Sequence, residues 1–141
     1  PVDWCGVPIH TVFLPGHCFA HAGYWLDWKG RRILFSGDSI QTRGVADDLQ
    51  LLMSNHSVPG TEEGHSTAYR NVMPLGITLN LGGHTSHFEN CAAVYQSSYD
   101  RIEETTGHLL ALFGNRRPEE IFVREALRPA AEKIRQLMSI S

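Results

Sequence analysis

An α+β domain is the architecture this sequence predicts, and three observations carry the prediction. Four short runs rich in β-branched and aromatic residues all lie before Gly82. The best helical pattern, Glu89 to Phe113, comes after them. No internal repeat, low-complexity tract or linker divides the 141 residues, a length that suits one domain with a real core. Strands first and helices after is the pattern of α+β folds.

The first run, Val7 to Leu14, reads as a strand that ends at the Pro15-Gly16 turn. Gly23–Trp28 and Arg32–Ser36 are two more, joined by Lys29-Gly30-Arg31, which is short and carries the glycine a tight hairpin favours. The fourth is Gly76–Leu81, bounded by Gly82-Gly83. These runs are largely apolar, which predicts strands covered on both faces. Val45–Met53 reads as a short helix, and Ser54–Ser66, with its Asn, Ser, Pro, Gly and Glu, as an exposed loop. In the long helix, Ala92, Ala93, Tyr95, Tyr99, Ile102, Leu109, Leu110 and Phe113 follow the 3.6-residue period until Gly114-Asn115 stops it. Pro118-Glu119-Glu120 opens a further helix, and Pro129 separates it from a last one over Ala130–Met138, so residues 118–141 form a C-terminal helical extension of the single domain.

Composition narrows the function. With 12 basic and 15 acidic side chains the net charge is -3, and no basic block is present, which argues against nucleic acid. No apolar run approaches the roughly 20 residues of a membrane span, so no membrane role is expected. Three widely spaced cysteines, Cys5, Cys18 and Cys91, suggest neither a disulfide framework nor a zinc knuckle, and a reduced, cytoplasmic setting is the expectation. The eight histidines are the feature that asks for an explanation.

Three residues share one setting. His17, Asp38 and His84 each follow a predicted strand directly and each stands beside glycine: Pro15-Gly16-His17, Gly37-Asp38 and Gly82-Gly83-His84. Side chains at the ends of neighbouring strands converge on one edge of a sheet, where open sheets commonly bind ligands. Imidazole and carboxylate are donors that suit zinc, or iron and manganese with more oxygen ligands.

These blocks resemble the second half of a metallo-β-lactamase-fold hydrolase. Leu14-Pro-Gly-His-Cys-Phe-Ala-His21 is similar to that family's T-P-G-H-T-x-G-[HS] turn, Leu34-Phe-Ser-Gly-Asp38 to its L-F-x-G-D strand end, and Leu81-Gly-Gly-His84 to its terminal P-G-H. Leu14, Cys18, Ala20 and Gly82 depart from the family pattern, and none of them is a ligand position. The resemblance runs from about Ile9 to Leu112 and implies a mixed sheet flanked by helices, one half of a four-layer αββα fold. It implies His17 as a ligand of one metal, Asp38 as the catalytic bridge between two, and His84 as a ligand of the second. His21 would support these ligands from behind; His87, three residues after His84, reads either as lining the pocket or, the preferred reading, as a surface residue at the entry to the helix. A metal-activated water would attack an ester, lactone, thioester, lactam or phosphodiester of a small-molecule substrate; the fold fixes the chemistry and not the substrate.

The family's H-x-H-x-D-H run does not occur in these residues. Each metal would keep two ligands, short of the three that a catalytic zinc uses. Three expectations follow. The chain is the C-terminal part of a metallohydrolase, inactive alone, with zinc (or iron or manganese) held only in the complete protein. Alternatively it is a non-catalytic domain that self-associates through an exposed sheet face. In the third, it completes a site with a separate chain that supplies the N-terminal half.

The remaining candidates read as structural. His10 packs in its strand, while His56, His65 and His108 are solvated. Cys18 is a buried thiol, because neighbours in an extended segment point to opposite sides and His17 could not serve as its base. By the same rule Trp25 and Trp28 face opposite sides of their strand, one to the core and one to the sheet surface or an interface.

Overall fold

The computed structural model describes residues 1–18, 20–40, 64–84 and 87–113. Within them the chain forms strands β1 (Val2–Trp4), β2 (Val7–Phe13), β3 (Ala22–Trp28) and β4 (Arg31–Gly37). Helix α1 (His65–Val72) follows, then a 3-10 turn (Met73–Leu75), strand β5 (Leu79–Gly82) and helix α2 (Cys91–Phe113). The sheet order is β1-β2-β3-β4-β5. The first three pairings are antiparallel and β4–β5 is parallel, so the sheet is mixed and the class is α+β. The helices expected over Val45–Met53 and residues 118–141 lie outside the described residues, as does His56. No described helix is long and apolar enough to cross a membrane.

Two elements were not expected from the sequence. Strand β1 pairs with β2 through a two-residue turn in which Cys5 and Gly6 both have positive φ, and Asp3 Oδ1 accepts the Gly6 N–H at 3.1 Å. Cysteine is an unusual occupant of a turn position that favours Asn or Gly, so the hairpin signal was weak. The Lys29-Gly30 turn between β3 and β4 is of the same kind and was legible from its glycine. Helix α1 begins where the exposed loop was expected to end. Its buried stripe is His65, Ala68, Tyr69 and Val72, spaced i, i+3, i+4, i+7. With a histidine at its head and only eight residues, the stripe does not announce a helix. Proline at position 74 then removes an amide and the α-helix tightens into the 3-10 turn.

The core lies on one side of the sheet. Leu14, Leu34 and Ile40 pack with Ala68, Tyr69 and Val72 of α1 and with Cys91, Tyr95 and Ile102 of α2. Along α2 the buried positions are Cys91, Tyr95, Ser98, Ile102 and Thr106, whereas Ala92 and Ala93 lie on the exposed side despite fitting the sequence period. Trp25 faces this layer, stacked on His10 with ring centroids 4.0 Å apart. The Arg32 guanidinium lies 4.7 Å from the Trp25 ring on the neighbouring strand and donates to Asp27 and to the Leu75 carbonyl.

The opposite face corrects the expectation of strands covered on both sides. Phe13, Tyr24, Trp28 and Phe35 are each about half exposed there, and Val2 and Trp4 more so. Val2, Ile9, Thr11, Tyr24, Leu26 and Phe35 line an apolar pocket of about 300 Å³ on this face. Side chains alternate along each strand, so both tryptophans of β3 obey the predicted split: Trp25 is covered and Trp28 is open.

A buried polar chain crosses the helix-covered side. The Tyr95 hydroxyl donates to Asn80 Oδ1 at 2.9 Å, Asn80 Nδ2 donates to Ser36 Oγ at 3.0 Å, and Ser36 Oγ donates to the Leu81 carbonyl at 3.4 Å. Ser36, Asn80 and Tyr95 are all buried. The backbone of Asn80 also exchanges both hydrogen bonds with Phe88, at 2.9 and 3.2 Å. This pins β4, β5 and α2 together just before the strand ends that carry Asp38 and His84.

Candidate metal centre

The site is built where β2, β4 and β5 end. Strand β2 runs out at Phe13, and Leu14, Pro15 and Gly16 remain buried as the chain turns. The Leu14 N–H donates to the His21 carbonyl at 2.9 Å and closes the turn. Ser39 Oγ donates to the Leu14 carbonyl at 2.6 Å, tying this turn to the residues just after Asp38. On the other flank the Gly83 N–H donates to the Gly37 carbonyl at 2.8 Å, where the parallel register of β4 and β5 slips by a bulge. Three segments distant in sequence are thereby fixed edge to edge.

Their side chains meet at one carboxylate. Asp38 Oδ2 lies 3.8 Å from His17 Nε2 and 3.4 Å from His84 Nε2. Asp38 is the most recessed of the three, His17 is half-exposed, and His84 is largely open to solvent. Both separations exceed an ordinary N–H···O hydrogen bond of about 3 Å. They are close to the roughly 3.3 Å between two donors that share a tetrahedral zinc at about 2.0–2.1 Å. The donor chemistry, two imidazoles and one carboxylate, therefore fits a transition metal. The donor number falls short: among the described residues no three His, Cys, Asp or Glu side chains close on one ion position. Each imidazole forms its own pair with Asp38.

Close backbone approach makes this geometry possible. A Cβ on Gly83 would lie 2.4 Å from Asp38 Oδ1, and one on Gly37 would lie 2.8 Å from His21 Nε2. A side chain at either place would force the Asp38 carboxylate or the His21 ring to move.

The structure separates His21 from His87. His21 sits inside the cluster, edge-on to His17 with ring centroids 5.9 Å apart, its ring against Gly37. Burial pushes its pKa below the ordinary histidine value, the neighbouring His17 pushes it the same way, and Asp38 opposes both. His21 Nδ1 is buried without a hydrogen-bond partner among the described residues. His87 is exposed and is not among the side chains gathered around Asp38.

Other expectations divide similarly. His108 is exposed and His10 packs, as expected. His65 does not follow its expectation: it is 2% exposed and opens α1 beneath the turn that carries His17. Cys18 is partly exposed rather than buried, while Cys91 is the buried thiol, with Sγ 3.6 Å from the Phe88 carbonyl oxygen and a pKa raised by burial.

With this geometry in view, comparison with solved structures returns the crystal structure of a metallo-β-lactamase family protein from Thermus thermophilus, at a TM-score of 0.56 and 17% identity. The fold is a partial metallo-β-lactamase-like one. The match covers 79% of this chain and 35% of that protein, so this chain spans about a third of its neighbour's length. No protein-family model and no curated protein matches the sequence.

Proposed function

We propose that this chain is the C-terminal portion of a metallo-β-lactamase-like, metal-dependent hydrolase, in which Asp38 bridges two metals, His17 serves one and His84 the other. The observation that carries the reading is the convergence of both imidazoles on Asp38 Oδ2 at spacings suited to shared ions. A carboxylate is the right bridge, because its two oxygens can each face a cation while its charge offsets their mutual repulsion. Bound metal would supply an activated water and polarise a carbonyl or phosphoryl centre of a small-molecule substrate. Zinc suits the donors best, with iron or manganese admitted if further oxygen ligands join. Two donors per ion leave the centre weak in this chain alone, and the missing ligands belong to an H-x-H-x-D-H half.

Asp38→Ala tests this reading. In equilibrium dialysis against zinc, the wild-type chain should take up metal with weak affinity, and the variant should lose at least tenfold. Adding a chain that carries H-x-H-x-D-H should tighten uptake by wild type but not by the variant. Unchanged zinc uptake in Asp38→Ala would remove Asp38 from the centre and the reading with it.

The open sheet face favours a second reading, a self-associating, non-catalytic domain. Val2, Trp4, Phe13, Tyr24, Trp28 and Phe35 are exposed on this one face, and large apolar side chains grouped on one surface are the mark of an interaction site. A complementary half and a second copy would both use it. Phe35→Asp places a charge at its middle and should weaken either association by about a hundredfold, since a desolvated unpaired charge is costly. Sedimentation of the purified chain distinguishes them. A metal-free dimer that Phe35→Asp dissociates supports self-association, whereas a monomer that binds metal only with a second chain supports the hydrolase half.

A further inference from the structure

We propose that α1 is a brace for the proposed metal ligand His17, with His65 as the positioning residue that fixes the turn before it. The inference rests on the metal-centre reading for the role of His17, and on packing alone for the brace.

The segment from Phe13 to Gly16 is held from two sides, and α1 supplies one of them twice. Asn71 Nδ2 donates to the Phe13 carbonyl at 2.9 Å, capturing the last residue of β2. At the other end of the same helix, the His65 ring lies against Gly16 so closely that a Cβ there would stand 2.2 Å from Nδ1 and 2.5 Å from Cγ. Gly16 has φ of +128°, a conformation that side chains rarely adopt. Both its backbone angle and its neighbour therefore demand glycine. From the opposite side Ser39 holds the Leu14 carbonyl. His17 is the next residue and the first of the turn to reach solvent, since Leu14, Pro15 and Gly16 are all buried.

Burial separates the roles of the two histidines. His17 is half-exposed and faces Asp38; His65 is 2% exposed and meets the backbone one residue earlier. A flat ring suits this place: it packs on a glycine methylene where an aliphatic side chain of equal reach would be thicker. Without the ring the turn would lose its floor, and the His17 imidazole would sample positions away from Asp38. Residues that orient ligands commonly change metal affinity by about 10–100-fold when altered. His84, carried by β5 and clamped through Asn80, does not depend on this contact.

The test follows the His17 and His84 ring signals by NMR of the histidine-labelled chain, first without metal and then through a zinc titration. In His65→Ala the His17 signal should broaden or split while that of His84 stays sharp, and apparent zinc affinity at His17 should fall about tenfold. His65→Phe, which keeps a flat ring, should restore wild-type order and affinity to within about twofold. Should alanine at 65 unfold the chain, Asn71→Ala removes the other contact from a partly exposed position and should loosen His17 to a lesser degree. Equal broadening of His17 and His84, or an ordered His17 in these variants, overturns the brace. Zinc affinity at His17 that is unchanged in an Asp38→Ala control overturns the metal reading instead, and the metal-free spectra still judge the brace.

Discussion

Asn80→Leu is expected to lower the unfolding free energy by about 3–4 kcal/mol, measured as a shift in denaturant midpoint at constant slope. Leucine keeps the heavy-atom branching of asparagine at a larger volume, so no cavity is left and the loss comes chiefly from hydrogen bonding, with some overpacking at a fully buried position. Asn80 gives Nδ2 to Ser36 and accepts from Tyr95, and all three are buried. Removing the amide takes away the carbonyl acceptor of the Tyr95 hydroxyl, leaving it beside only the weakly hydrogen-bonding Cys91 thiol, and leaves Ser36 with the Leu81 carbonyl alone. A buried polar group without its partner costs about 1–3 kcal/mol, more than the bond itself contributes. For a domain of ordinary stability, about 5–15 kcal/mol, this is a large share. Tyr95→Phe should cost about 1–2 kcal/mol by itself. Added to Asn80→Leu it should cost little more, because it removes the hydroxyl whose carbonyl acceptor the first change took away. Strict additivity of the two, or a loss below about 1 kcal/mol for Asn80→Leu, would mean that the buried chain does not clamp the strand ends.

Gly83→Ala should act on the site more than on the fold. The added methyl would meet Asp38 Oδ1 at 2.4 Å and the Gly37 carbonyl carbon at 3.3 Å. Asp38 must swing aside or the β4–β5 junction must open, and overpacking of this kind typically costs about 1–3 kcal/mol. Either response moves the carboxylate away from His17 and His84. Zinc affinity should drop about 10–100-fold, the range seen when the geometry around a ligand is disturbed. Calorimetric titration of wild type and variant, each checked for a cooperative thermal transition, reads the two effects separately. A folded variant with wild-type affinity would show that the carboxylate's position is not what the centre requires.

The sequence was most informative where local chemistry is strong. The strand runs ending at His17, Asp38 and His84 could be read because β-branched and aromatic residues stop at glycine, and their convergence followed from strands ending on one sheet edge. What stayed hidden depended on long-range neighbours. His65 looked like one more polar loop residue, since it is buried in the fold and its ring lies against the backbone of Gly16, far away in sequence. The same histidine completes the i, i+3, i+4, i+7 stripe of α1, so counting it with the apolar residues would have revealed the helix. Asn80 was hidden for a related reason: an amide within an apolar strand gives no sign of the tyrosine that satisfies it. The apolar runs predicted a doubly covered sheet; the described helices occupy one face, and Tyr24, Trp28 and Phe35 keep the other apolar. Periodicity reports that a face is apolar and is silent on which chain covers it.

The strand order has a kinetic meaning. Strands β1 to β4 form a meander in which every neighbour in space is a neighbour in sequence, so His17 and Asp38 are brought together by short-loop closures. Strand β5 joins in parallel only after a crossover from Gly37 to Leu79 that includes α1. Closing so long a loop is entropically dearer, and nonlocal parallel pairing is intrinsically slow. His84 is thus expected to reach Asp38 after His17 has, which makes assembly of the cluster a clock for completion of the sheet.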